Sequence, residues 1–188
     1  MPAPARPSRR LARPRLIVLA GLPGAGKSTV AALVADRLGA VWLRVDTIEA
    51  SMLRAGLPRS FETGLAAYIA ARDIALEQLG LRRDVVIDAV NGVEEVRQMW
   101  RELARECAAD QYVLEVVCPD PAEHRRRVES RPAPTPPLPA PTWEEVLHRE
   151  YLPWREPTLS VDGRRSSEEN LRRVRAYLRR GRAGGPSA

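Results

Sequence analysis

The chain has 188 residues, 44% of them hydrophobic, with 30 basic against 24 acidic side chains and a net charge of +6. That length allows one domain with a full core but not two comfortable ones, and the longest apolar run, Leu16 to Leu22, is far too short to span a bilayer. The positive charge suggests nucleic acid until it is located: 11 of the 30 basic residues fall in residues 1–15 and 172–182, which hold no acid, so the body keeps 19 against 24 and is net negative.

Taken in order, residues 1–15 combine five arginines with Pro2, Pro4, Pro7 and Pro14. The prolines spoil any amphipathic targeting helix, and the segment reads as a disordered basic tail. Leu16 to Ala20 is a β-branched apolar run of the kind that forms a buried parallel strand. Past the glycine-rich segment that follows, Val30, Leu33, Val34 and Leu38 recur at helical spacing up to Gly39, a natural helix terminus.

Val41 to Val45 then reads as a second strand, Thr47 to Ala55 as a short helix and Phe61 to Leu79 as a longer one. Asp84 to Asp88 is a third strand, Glu94 to Ala109 a helix and Tyr112 to Cys118 a fourth strand. Pro121 to Arg131 is helical and very basic, and it runs into the proline-rich segment Pro132 to Pro141, expected to be an extended loop. Trp143 to Tyr151 is a short helix, Thr158 to Asp162 a fifth strand, and Ser166 to Arg180 the last helix, with Ser166 as cap and Glu169 in the capping-box position. Five strands alternating with helices predict a three-layer α/β domain over residues 16–180, built on a five-stranded parallel sheet, with a lid near 121–142 and a second tail at 181–188. Ligands are expected at the carboxyl ends of the strands.

Between the first strand and its helix stands Gly21-Leu22-Pro23-Gly24-Ala25-Gly26-Lys27-Ser28-Thr29, which matches the phosphate-binding pattern GxxxxGK(S/T) in its required context. Gly21, Gly24 and Gly26 let backbone N–H groups approach phosphate oxygens, with Ala25 and Thr29 completing the loop. Lys27 is the chain's only lysine among 29 arginines. A coding bias towards arginine explains the missing lysines but not the one that remains. An ammonium is a compact point charge that fits inside a tight loop, whereas a guanidinium is a wide fork. Lys27 is therefore expected on the β and γ phosphates, and Ser28 offers its hydroxyl to Mg2+.

Asp88 ends the third strand, where a carboxylate either faces a Mg2+ shell opposite Ser28 or caps a helix. Ala89 follows it in place of the glutamate that hydrolytic motors use to activate water, which favours transfer to an acceptor. Asp46 is expected to terminate the second strand, on the same sheet edge as the phosphate loop. It can act as base for an attacking hydroxyl, or as N-cap of the next helix with Glu49 in a capping box; the two roles are compatible. Arg127 and Arg131 lie four apart on one helix face, suited to a lid that spreads transition-state charge. Arg54, Arg72 and Tyr68 fall on the expected acceptor side. His124 and His148 show no partner in the sequence and read as surface or structural groups. Cys107 and Cys118 have no metal or disulfide spacing, read as core residues, and fit a reducing cytoplasm.

These features resemble the small P-loop kinases that phosphorylate hydroxyls, a group including polynucleotide 5′-kinase, chloramphenicol phosphotransferase, gluconate kinase and zeta-type toxins. The resemblance rests on GLPGAGKST, the VD at Asp46, the VVIDAVN segment at Asp88 to Asn91 and the HRRRVESR stretch, and it covers residues 16–180. It implies ATP and Mg2+ as cofactors, Asp46 as base, and Arg127 and Arg131 as lid arginines near the phosphates or adenine. The segment Trp143 to Trp154 then either lines the acceptor site or packs. A GTPase of the NKxD type needs a second lysine, which the chain lacks. Shikimate-kinase-like enzymes tend to carry DxD after the second strand, where only Asp46 stands here. The expectation is an ATP-dependent kinase for a hydroxyl-bearing small molecule. A 5′-hydroxyl polynucleotide kinase and a regulatory nucleotide switch stay open, the first because of the basic ends.

Overall fold

The computed structural model describes residues 12–130, 135–156 and 158–183. Its elements are β1 (Arg15–Ala20), α1 (Lys27–Leu38), β2 (Val41–Arg44), α2 (Val45–Arg54), α3 (Phe61–Gly80), β3 (Val85–Asp88), α4 (Glu94–Glu106), β4 (Asp110–Val117), α5 (Pro121–Ser130), α6 (Trp143–Leu147), β5 (Thr158–Asp162) and α7 (Ser167–Ala183). The five strands form one parallel sheet in the order β2-β3-β1-β4-β5. Among the described residues no helix is long and apolar enough to cross a membrane.

The uninterrupted apolar strands are explained by burial on both faces of the sheet. Alternate residues of β1 feed two cores: Leu16 and Val18 join α3 and α4 through Ala67, Ala71, Ala75, Leu79, Trp100 and Leu103. Ile17 and Leu19 join α1 and α7 through Val30, Val34, Val174 and Leu178. Alanines at four-residue spacing along α3 bring that helix close to the sheet. Gly39 closes α1 in a left-handed conformation, as its position predicted.

Several boundaries differ from expectation; α4, for one, ends at Glu106 and not at Ala109. Helix α2 starts at Val45, so Val45 and Asp46 belong to a helix and not to the end of a strand. Its N-cap is Arg44, without a side-chain cap, so the capping box of Asp46 and Glu49 does not form. A β-branched residue is as acceptable in a first helical turn as at a strand end, and propensity could not separate the two. Helix α6 stops at Leu147, after a full capping box between Thr142 and Glu145. The hydroxyl of Ser166 does accept the N–H of Glu169, at 3.2 Å, but the Glu169 carboxylate turns to Arg165 instead of completing the box. The free thiols of Cys107 and Cys118 are only half-buried, and Cys107 packs on the edge of the first core. Residues 1–11, 184–188 and Arg131 lie outside the described residues.

Candidate active site

The glycine-rich loop leaves β1 at the centre of the sheet and delivers Lys27 as the first residue of α1. Gly26, its N-cap, has φ 101°, a left-handed geometry that aims the helix's free N–H groups into the loop. Gly24 has φ 81°, and a Cβ there would meet Val128 Cγ2 at 2.6 Å and the His124 ring at 3.2 Å. Helix α5 therefore lies directly on the loop.

His124 is 8% exposed and is not the partnerless group expected. Its Nε2 donates to the carbonyl oxygen of Pro23 at 2.7 Å, and Trp143 packs edge-on against the ring at 5.2 Å. Arg127, one turn later, donates to Glu123 at 2.6 Å and to the carbonyl of Gly163 at 3.1 Å. Gly163 comes from the turn after β5, and a Cβ on it would stand 1.9 Å from the carbonyl oxygen of Ala25. The loop is thus gripped from two sides, by α5 and by the β5–α7 turn.

In front of it lies a cleft of about 170 Å³. Its lining includes Gly24, Gly26, Lys27, Ser28, Asp88 and Arg127 together with Arg44, Asp46, Glu49, Arg59 and Arg149, and the segment Leu138 to Pro141. Gly21 and Ala25 turn instead to a hollow behind the loop beside Glu115 and Cys118, and Thr29 is exposed. Of the residues expected on the acceptor side, Arg54 bonds to Ser51 and to the Pro136 carbonyl, and Arg72 is bound to Asp73 and Glu106 away from the cleft. Tyr68 stacks near Trp100 and stands beside Asp46, Glu49 and Arg149, with desolvation pushing its hydroxyl up to about 12.

Lys27 donates to the Leu22 carbonyl at 3.0 Å within the loop. Asp88 is 4% exposed; burial raises its pKa against the opposing effects of the Lys27 ammonium, the Ser28 hydroxyl and Arg44. Its Oδ2 is buried without a hydrogen-bond partner. A hydroxyl and one carboxylate beside a phosphate loop suit Mg2+, which keeps several waters and takes few protein ligands. That donor set is sparse, in keeping with there being no cluster of three or more His, Cys, Asp or Glu side chains fit for a metal among the described residues.

Sequence spacing gave no signal for Arg59 and Arg149, which come from loops 90 positions apart and lie near the Glu49 carboxyl. Desolvation raises the Glu49 pKa, and Asp46 raises it further, while the two guanidinia lower it. Behind them Arg97, 1% exposed, donates to the carbonyls of Asn91, Gly92, Leu152 and Pro153 at 2.5 to 3.1 Å. Its guanidinium lies 4.0 Å from the Trp154 ring centroid. With Tyr151 bonded to Glu115 at 2.8 Å, the aromatic residues of this segment pack and do not line the cleft.

The family model described as an AAA domain, AAA_33, matches residues 16–153. The chain belongs to this family of small P-loop kinases. A shikimate kinase of Rhodopseudomonas palustris is 29% identical over 157 residues, 84% of this chain and 77% of that protein. A candidate kinase from Chloroflexus aurantiacus superposes with a TM-score of 0.72 at 21% identity, covering 90% of this chain and 98% of the other. A gluconokinase from Sinorhizobium meliloti superposes at 0.64 and 22% identity, covering 89% and 93%. The kinase is thus an ATP-dependent small-molecule phosphotransferase acting on a hydroxyl. Similarity to a shikimate kinase emerges although the single Asp46 argued against that group.

Proposed function

We propose that the kinase transfers the γ-phosphate of ATP to a hydroxyl of a small anionic acceptor, with Asp46 as the base. The observation that carries this reading is the make-up of one cleft, in which Lys27, Ser28 and Asp88 share a lining with Asp46 and with a Glu49 carboxyl that Arg59 and Arg149 lie near. Asp46 accepts the proton of the acceptor hydroxyl as its oxygen bonds to the γ-phosphorus, and the bond to the β-phosphate oxygen breaks to release ADP. Lys27 and Arg127 hold the charge that builds on the phosphates. Ser28 and Asp88 are the residues that would hold Mg2+, which would supply further neutralisation of the phosphates. Helix α5 with residues 135–142 forms the lid over this chemistry, and Arg131, four positions after Arg127 in the sequence, is assigned to the phosphates with it.

Arg59 and Arg149 have no hydrogen-bond partner for their guanidinia among the described residues, and two guanidinia in the cleft lining suit a carboxylate or similar anion. Shikimate and gluconate, for which two of the similar proteins are named, are both hydroxy acids. ATP chemistry and the free thiols of Cys107 and Cys118 fit a cytoplasmic setting.

The test is transfer from labelled ATP to a panel of hydroxy acids, neutral sugars, nucleosides, aminoglycosides and 5′-hydroxyl oligonucleotides. Label on a hydroxy acid, lost in an Arg59→Gln, Arg149→Gln double variant, supports the reading. Label only on neutral compounds removes the anionic acceptor, label only on oligonucleotides makes the protein a polynucleotide kinase, and phosphate release with no transfer makes it a switch.

A further inference from the structure

Arg44 sits where the metal chemistry and the acceptor chemistry meet, and nothing in the reaction above uses it. It is the last residue of β2 and caps α2. Its Nε lies 3.6 Å from Asp88 Oδ2, and both atoms are buried without a hydrogen-bond partner. A charge-assisted N–H to carboxylate bond closes to about 2.7–2.9 Å, as this fold achieves between Arg15 Nε and Asp84 Oδ2 at 2.8 Å. Arg44 and Asp88 are therefore close enough to compensate each other's charge and too far apart to satisfy each other. The other end of the guanidinium reaches Thr135 Oγ1 at 3.4 Å, in the segment over the cleft, and its Cζ lies 5.5 Å from the Trp42 ring centroid.

We propose that Arg44 is a built-in counter-ion for Asp88 that Mg2+ displaces when the metal arrives with nucleotide, freeing the guanidinium into the cleft. A buried carboxylate is costly without compensating charge, and before the metal comes Lys27 and Arg44 share that role at Asp88. Of the two, the guanidinium is held there by a loose 3.6 Å contact and gives way readily. Arg44 already lines the cleft together with Asp46 and Glu49, so displacement from Asp88 leaves its charge to these groups, and the acceptor site is completed only once the metal is in place. Arg44 is thus a positioning residue that sets the metal affinity of the nucleotide complex.

This inference rests on Asp88 facing the metal, and the experiment separates the two. ADP affinity is measured on the full chain by calorimetry in EDTA, and Mg2+ is then titrated into the ADP complex at pH 8. For Arg44→Gln the expected result is Mg2+ binding tighter by roughly five- to tenfold, with metal-free ADP affinity unchanged. Unchanged or weaker Mg2+ binding overturns the proposal. Asp88→Asn should weaken Mg2+ binding; if it does not, the metal site itself is misassigned, whatever Arg44 does. A readout independent of that variant's folding is the tryptophan emission of the wild-type chain. Mg2+ added to the ADP complex should change it, and Trp42→Phe should abolish the change. A Mg2+ response that persists in Trp42→Phe, or no response at all, counts against displacement.

Discussion

His124 Nε2 donates to the Pro23 carbonyl oxygen at 2.7 Å, so a ring on α5 fixes the backbone of the phosphate-binding loop. Trp143 closes the other side of the same ring. The helix that carries Arg127 therefore cannot shift without pulling on the loop. His124→Ala should cost about 1–3 kcal/mol of stability, because the part-buried Pro23 carbonyl loses its donor. It should also weaken ADP binding. Thermal melts and calorimetry check both; intact ADP affinity in a destabilised variant would mean that the bond holds only the helix.

Lys27→Arg tests the solitary lysine. The larger fork does not fit within the turn that lets Nζ reach the Leu22 carbonyl at 3.0 Å. Turnover should fall by at least about 100-fold, the scale of losing one transition-state charge contact. Full turnover measured with labelled ATP would make the lysine incidental.

Asp46→Asn should lower kcat by roughly 10²–10⁴-fold and leave ATP affinity within about twofold, since the amide keeps the shape and loses the basicity. A variant as fast as the parent would remove the base assignment.

Much of this architecture was legible because it is local. Continuous apolar strands, Gly39 at a helix end and the loop between β1 and α1 are each written in fewer than a dozen consecutive residues. Asp46 does line the cleft, yet its element was misjudged because β2 passes into α2 without a turn residue. The partner of His124 lies 101 residues away, and Arg59 meets Arg149 only after folding. No spacing rule spans such distances. Gly163 had the one signal that could have been read, a glycine directly after the strand-ending Asp162.

Glu49 supplies a pH test. Desolvation first and the Asp46 charge second raise its pKa above the ordinary 4.5. The folded chain therefore holds this proton more tightly than the unfolded chain. The carboxylate's penalty is absent well below 4.5, grows as pH rises through the folded value, and is fully present above it. Glu49→Gln should raise Tm at pH 7–8, with the gain disappearing below about pH 4. A Tm difference that stays constant across that range would point to packing in place of charge.

Arg97→Met should be the most damaging of these changes. It strands the four carbonyls that the guanidinium serves, at a cost of roughly 3–5 kcal/mol. Arg97→Lys should recover little, because one ammonium cannot span Asn91, Gly92, Leu152 and Pro153 together. Denaturant melts of both variants measure this; a lysine variant near wild-type stability would show that charge over Trp154 matters more than the fork.

The contact between Gly163 and Ala25 bears on how this kinase can be cut. The family match stops at residue 153, but the backbone that backs the phosphate loop, the carbonyl that holds Arg127 and the strand completing the sheet all come after it. A fragment trimmed to the matched stretch would keep every motif residue and lose the wall behind them. For anyone building a shortened or split version, the sensible seam is a surface loop that leaves 158–183 attached, and Gly163 is a position at which no other residue should be substituted.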